Sequence, residues 1–148
     1  MSISVEFQNR FLELFEEQSF NHTELAEKIG IGYETFSKIK NYGILPTPRI
    51  LVRIADYFDI SLEYLLARNN EEYFSKAKMP ETFTQRLETL KESKNLTYYE
   101  LGKKLHFPHH YFSLWKTKNY MPSLEFLILL AEFFEVSLDY LLGRSDDR

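Results

Sequence analysis

Laid over itself at a single offset, the chain matches without a gap: residues 7 to 68 lie over residues 83 to 144, a shift of 76, with about a third of the positions identical. Ile60-Ser61-Leu62-Glu63-Tyr64-Leu65-Leu66-Ala67-Arg68 returns as Val136-Ser137-Leu138-Asp139-Tyr140-Leu141-Leu142-Gly143-Arg144. Glu24-Leu25 returns as Glu100-Leu101, Phe36-Ser37 as Phe112-Ser113, and Pro46 as Pro122. Every pair keeps the same offset, so the duplication preserves three-dimensional spacing. One fold is built twice, and any function has to make sense when present in two copies.

The repeat divides the chain into a first domain at 1–68, a connector at 69–80 and a second domain at 81–148. Units of this size fold alone, with marginal stability. Hydrophobic residues make up 44% of the chain and aromatics 16%, a composition of packed globules. Phe11, Phe15, Phe36, Phe58, Phe112, Trp115, Phe133 and Phe134 recur at helical spacing and are assigned to the cores, with Trp115 at the place of Ile39. There is no cysteine, which excludes disulfides and thiolate metal sites and suits a reducing compartment. No apolar run approaches the roughly 18 residues of a membrane span, and the amino terminus lacks the order of a signal peptide. A cytoplasmic protein without membrane contact is expected.

The net charge is −4, whereas nucleic-acid binders are more often basic. Its distribution is more informative than its sum. Between Glu34 and Asp56 there is no acid, and that window holds Lys38, Lys40, Arg49 and Arg53. The second copy repeats this between Glu100 and Glu125, with Lys103, Lys104, Lys116 and Lys118 plus His106, His109 and His110. Acids gather in the first helix of each copy, at Glu13, Glu16 and Glu17 and at Glu88 and Glu92. Each copy has a basic middle and acidic ends.

The punctuation predicts five helices per copy and no strand. Residues 4 to 18 place Val5, Phe7, Phe11, Leu12, Leu14 and Phe15 on one broad face. Asn21-x-x-Glu24 and Thr97-x-x-Glu100 read as capping boxes that start a short second helix. Gly30 ends it in the first copy, where His106 stands in the second. Third helices are expected over 33–40 and 109–117, the latter capped by Pro108. Thr47-Pro48 and Ser123 open the fourth helices. Ser61 and Ser137 cap a fifth, expected to end at Arg68 and Arg144.

Short helix, tight turn, short helix, braced by a longer first helix and two closing ones, is the outline of a helix-turn-helix domain. Phe20-Asn21-His22-Thr23-Glu24-Leu25-Ala26 and Leu96-Thr97-Tyr98-Tyr99-Glu100-Leu101-Gly102 resemble the Leu-Thr-Gln-x-Glu-Leu-Ala opening of the phage repressor and Cro type, the XRE-like family. The closing Phe-x-Val-Ser-Leu-Asp-Tyr-Leu-Leu-Gly of bacterial members is reproduced from Phe134 to Gly143. The resemblance implies an all-α chain of two tandem five-helix lambda-repressor-like domains. It implies a transcriptional regulator, repressor-like, that binds double-stranded DNA sequence-specifically with its third helices in the major groove.

Carried over by position, the base-facing residues are Tyr33, Glu34, Thr35 and Lys38 in the first copy, and His109, His110, Tyr111 and Leu114 in the second. Lysine can donate to guanine and glutamate can accept from cytosine, while Leu114 offers only an apolar contact to the thymine methyl. Phosphate contacts are expected from Asn21, His22, Lys40 and Asn41, and from Thr97, Tyr98, Lys116, Lys118 and Asn119. Some positions depart from the family. The glutamine after the cap is His22 and Tyr98 here, and the places of a frequent arginine–glutamate pair hold Phe15 with Lys40 and Lys91 with Lys116.

A homodimer, or a pseudo-dimer within one chain, would place two recognition helices on DNA one turn apart. Two alternatives remain: a protein-interaction or dimerisation module on a degenerate scaffold, using Leu62, Leu65 and Leu66 or Leu138, Leu141 and Leu142, and an antitoxin that binds both DNA and a toxin partner. No phosphate-binding glycine loop, paired carboxylates or nucleophile with a base points to an enzyme. No cofactor is implied, and His106-x-x-His109-His110, lacking cysteine or nearby carboxylates, is read as DNA-facing or solvated, not as a metal site.

Overall fold

A computed structural model describes residues 2–148; Met1, at the head of the first expected domain, lies outside the described residues. The chain forms two compact units, one ending at Phe74 and one spanning Ser75–Arg148. The described residues form helices and turns, with isolated antiparallel bridges at Ile3–Ile44 and Lys76–Ser145. No helix among them is long and apolar enough to cross a membrane.

The first unit holds α1 (Val5–Glu16), α2 (His22–Ile29), α3 (Tyr33–Tyr42), α4 (Pro48–Phe58) and α5 (Leu62–Leu65). The second repeats them as α6 (Phe83–Ser93), α7 (Tyr98–Lys104), α8 (His110–Lys118), α9 (Leu124–Phe134) and α10 (Leu138–Leu141). Both boxes form as the spacing predicts: Asn21 accepts from the Glu24 amide and Thr97 from the Glu100 amide, and each glutamate returns the bond. A side-chain cap of this kind contributes about 1 kcal/mol. Ser61, Ser123 and Ser137 also cap through their hydroxyls. Thr47 stands at its cap position without a side-chain bond, and Pro48 supplies the preset φ of the first turn.

The duplication reaches the backbone itself. Left-handed residues recur at the same offset as Gly30 and His106, Gly43 and Asn119, Asp59 and Glu135, and Ala67 and Gly143. Three of these eight residues are glycine and five carry a side chain, so the turns are imposed by packing as much as by residue type. His106, at φ 55°, takes the conformation of Gly30.

The fifth helices are shorter than expected. They stop at Leu65 and Leu141 because Ala67 and Gly143 turn left-handed, and the Arg68 and Arg144 amides then bond back to the Glu63 and Asp139 carbonyls at 2.8 and 2.7 Å. The third helix of the second unit is capped by His109 instead of Pro108, and its first turn is tight: the Tyr111 and Phe112 amides bond back three residues to the Pro108 and His109 carbonyls, each at 3.2 Å. Val5, placed inward by periodicity, is 56% exposed: it sits in the first turn of α1, beyond the reach of the core.

In the first core α1 packs on α3 and α5, and α2 on α3 and α4. Phe7, Phe11, Phe36, Leu25, Ile39 and Ile54 are fully buried there, each contributing about 1.5–3 kcal/mol of hydrophobic transfer. The second core centres on Trp115, whose ring meets Phe83, Phe107, Phe112 and Phe126 at centroid distances of 5.0 to 5.9 Å.

One brace escaped the sequence reading. The Arg10 guanidinium lies 3.7 Å over the Tyr64 ring and that of Arg86 4.2 Å over Tyr140, so the first helix is tied to the fifth in the same way in both units. Both residues of each pair are identical at the offset of the repeat, which is the signal that would have found them. The expected connector is divided between the units. Ser61 bonds the Glu71 and Glu72 carbonyls on one side; on the other, the Ala77 amide bonds the Arg144 carbonyl and the Lys78 amide bonds Asp146.

Candidate nucleic-acid interface

In the first unit three residues, Gly30-Ile31-Gly32, separate α2 from α3, with Ile31 buried as the pin of the turn. In the second, residues 105–109 separate α7 from α8. Both third helices hang on buried side chains at matching places, Phe36 and Ile39 in α3, Phe112 and Trp115 in α8. The opposite faces are left outward.

On α3 the outward face carries Tyr33, 58% exposed, and Glu34, whose carboxylate pairs with Lys38 at 3.2 Å. Thr35 is half-buried beside them. Lys40 extends over the Phe15 ring at 5.4 Å, so the positions of the missing arginine–glutamate pair are filled by a cation on an aromatic face. Asn41 donates to the Ser37 hydroxyl at 3.1 Å. Asn21, at the start of α2, is exposed, its side-chain oxygen committed to the cap.

On α8 the outward face differs. His109 and His110 are exposed, the His110 ring stacks on Tyr111 at 4.5 Å, and Leu114 is half-buried one turn on. Lys116, Lys118 and Asn119 are exposed at its far end, where Asn119 turns left-handed. Thr97 is exposed at the cap of α7.

Two residues expected at phosphate point their polar atoms inward. The His22 ring packs on Phe36 at 4.3 Å and Tyr33 at 4.8 Å, and its Nε2 is buried without a hydrogen bond. Tyr98 stacks on Phe112 at 5.1 Å, lies under the Lys91 ammonium and donates its hydroxyl to Glu88. In both units, then, the first-turn ring of the second helix props the third helix through the same phenylalanine. The direction of these rings is not legible from local spacing, because the aromatic partner lies 14 residues away, Phe36 from His22 and Phe112 from Tyr98.

Electrostatics follow this packing. Burial first, then the Glu88 carboxylate, pushes the Tyr98 hydroxyl above its ordinary value, so it remains a donor. Glu88 is held below its own, chiefly by that hydrogen bond. Burial, with Lys40 adding to it, pushes the His22 imidazole below 6.5. An imidazole held below its ordinary value in the fold leaves the unfolded chain binding more protons as pH falls through 6.5. The first unit is therefore expected to lose stability from pH 7 towards pH 5. Urea unfolding followed by circular dichroism checks this, and His22→Phe should flatten the dependence. An unchanged slope in that variant would place the origin elsewhere.

A model of the family described as "Helix-turn-helix" matches residues 12–65, and a model of the "Bacteriophage CI repressor helix-turn-helix domain" matches residues 85–148. The chain is 32% identical over 65 residues to the Bacillus subtilis (strain 168) protein named "Uncharacterized HTH-type transcriptional regulator YobD", a match covering 44% of the chain and 58% of that relative. No solved structure matches. With one such match in each half, on the helices described above, the chain belongs to the helix-turn-helix proteins of the phage repressor and Cro type, as a tandem of two domains.

Proposed function

We propose that the chain is a transcriptional regulator that binds duplex DNA sequence-specifically, presenting α3 and α8 to the major groove, and that the second unit supplies most of the salt-dependent affinity. The observation that carries this is the difference in charge behind two similar faces. Up to Phe74 there are 7 lysines and arginines against 12 acids, net −5; from Ser75 on there are 11 against 10, net +1. On α3 the one lysine in the base-facing set is already paired with Glu34, whereas α8 has no acid at all. Counterion release scales with the number of phosphates neutralised, so Lys103, Lys116 and Lys118, in a unit of net positive charge, outweigh Lys40, which lies over Phe15, and Lys38, which is paired with Glu34, in a unit of net negative charge. The first unit adds register and bases through Tyr33, Glu34 and Thr35. Asn21, Asn41, Thr97 and Asn119 complete the phosphate contacts from helix ends, while His22 and Tyr98 act by holding α3 and α8 in place.

Selection of bound sequences from a random duplex pool tests the reading and reports symmetry at once. One chain acting as a pseudo-dimer should select an asymmetric site, and a homodimer a palindrome of composite half-sites. Lys116→Ala is expected to weaken the selected site and to reduce its salt slope by about 1; Lys38→Ala should cost less and leave that slope nearly unchanged. No selected sequence and no loss from either variant would refute the assigned faces and favour the protein-interaction alternative.

A further inference from the structure

The outward faces of the two third helices differ in kind, and we propose that the second unit recognises the C5-methyl group of a pyrimidine, with Leu114 as the contacting side chain and the His110–Tyr111 ring pair as the wall beside it. This rests on the DNA reading above and names what one of its helices reads. From His110 to Lys118 the helix contains no arginine, asparagine, glutamine, aspartate or glutamate, the residues whose paired donors and acceptors distinguish guanine, adenine and cytosine. Apart from Ser113, Thr117 and the two lysines of its last turn, it offers hydrocarbon and rings.

Position by position the contrast is direct. Glu34 and Lys38 form a charged pair one turn apart on α3; at the same offset α8 has His110 and Leu114. Tyr111 is 40% exposed, with its inner side against Phe107 at 5.0 Å, and Phe107 stacks on Phe126 at 4.0 Å. The ring pair is thus anchored to the core and presents a fixed surface. Within the major groove the one apolar group on a base edge is the methyl at pyrimidine C5. Leu114 set against any other edge would strip water from polar atoms without replacing their hydrogen bonds. Thymine and 5-methylcytosine carry the same methyl, so the chemistry is shared and the source is for experiment to separate.

The test uses the full chain and its selected duplex, with each thymine replaced singly by uracil, which removes only the methyl, and each cytosine singly by 5-methylcytosine. At one or more thymines, uracil is expected to weaken binding about fourfold, the value of one buried methyl. Leu114→Ala should bind the thymine and uracil duplexes equally; Leu114→Met, which keeps a hydrocarbon of similar volume, should still distinguish them. Unchanged Trp115 fluorescence shows that both variants are folded. A gain from 5-methylcytosine with no loss from uracil assigns the methyl to modified cytosine. Equal binding to all duplexes, or discrimination that persists in Leu114→Ala, overturns the proposal while leaving DNA binding intact. No binding to any duplex removes the DNA reading together with it.

Discussion

Replacing Gly143 with alanine should destabilise the second unit by about 3 kcal/mol, while the matched change in the opposite sense, Ala67→Gly, should stabilise the first by about 0.5–1 kcal/mol. The two residues occupy one place in the repeat and turn left-handed at φ 77° and 58°. Alanine pays the ordinary penalty of a Cβ in that region, which glycine avoids at the expense of a more flexible unfolded chain. At Gly143 the penalty is compounded. A Cβ there would overlap the backbone carbonyl oxygen of Glu81, a main-chain atom that cannot rotate aside. Glu81 also pairs with Arg86 at 3.3 Å, so moving it disturbs a buried cation. The chain has one tryptophan, Trp115, buried in the second unit, so its fluorescence in urea reports that unit alone. A midpoint unchanged in Gly143→Ala would show that the chain before α6 does not lie against this turn.

The same pair shows what is legible in a duplicated sequence. The offset places both residues in one turn, and the caps at Asn21, Thr97, Ser61 and Ser137 follow from local spacing because their partners are three residues away. The third helices were legible to the same depth: α3 and α8 fall where the resemblance put them, with Tyr33 and Glu34 exposed on α3, His110 exposed on α8 and His109 exposed at its cap. What spacing could not supply is the direction of a side chain whose partner is distant. His22 and Tyr98 have polar atoms and stand next to helix starts, which reads as phosphate binding, yet their rings are drawn inward by Phe36 and Phe112. The early end of α5 and α10 has a similar origin. Leu66 and Leu142 continue the apolar pattern, and the left-handed residue that follows each leaves no mark in hydropathy.

Arg86→Ala is expected to be comparably damaging, costing the second unit about 3 kcal/mol, and more than Arg10→Ala costs the first. The two arginines share a place and a stacking partner but differ in depth. Arg86 has a side chain 3% exposed, with Glu81 at 3.3 Å and Asp146 at 3.1 Å; Arg10 is 13% exposed and donates to the Tyr64 carbonyl at 2.6 Å. Both acids beside Arg86 are 46% exposed, so after its removal they return to water and no buried charge is left alone. The loss therefore comes from the stacking on Tyr140, from the cavity left by the buried stem, and from release of the carboxyl-terminal residues that Asp146 fastens through Arg86 and the Lys78 amide. Arg86→Met separates these contributions, because it refills most of the volume without the charge. A cost near 1 kcal/mol for methionine against about 3 for alanine would make packing the larger share; equal costs would make it the ion pairs and the stack. Since Arg86 stacks on Tyr140 of α10 and pairs with Glu81 and Asp146, while α8 hangs on Phe112 and Trp115, the methionine variant should keep its DNA site at temperatures where the unit remains folded, which separates the brace that holds the domain together from the face that reads the groove.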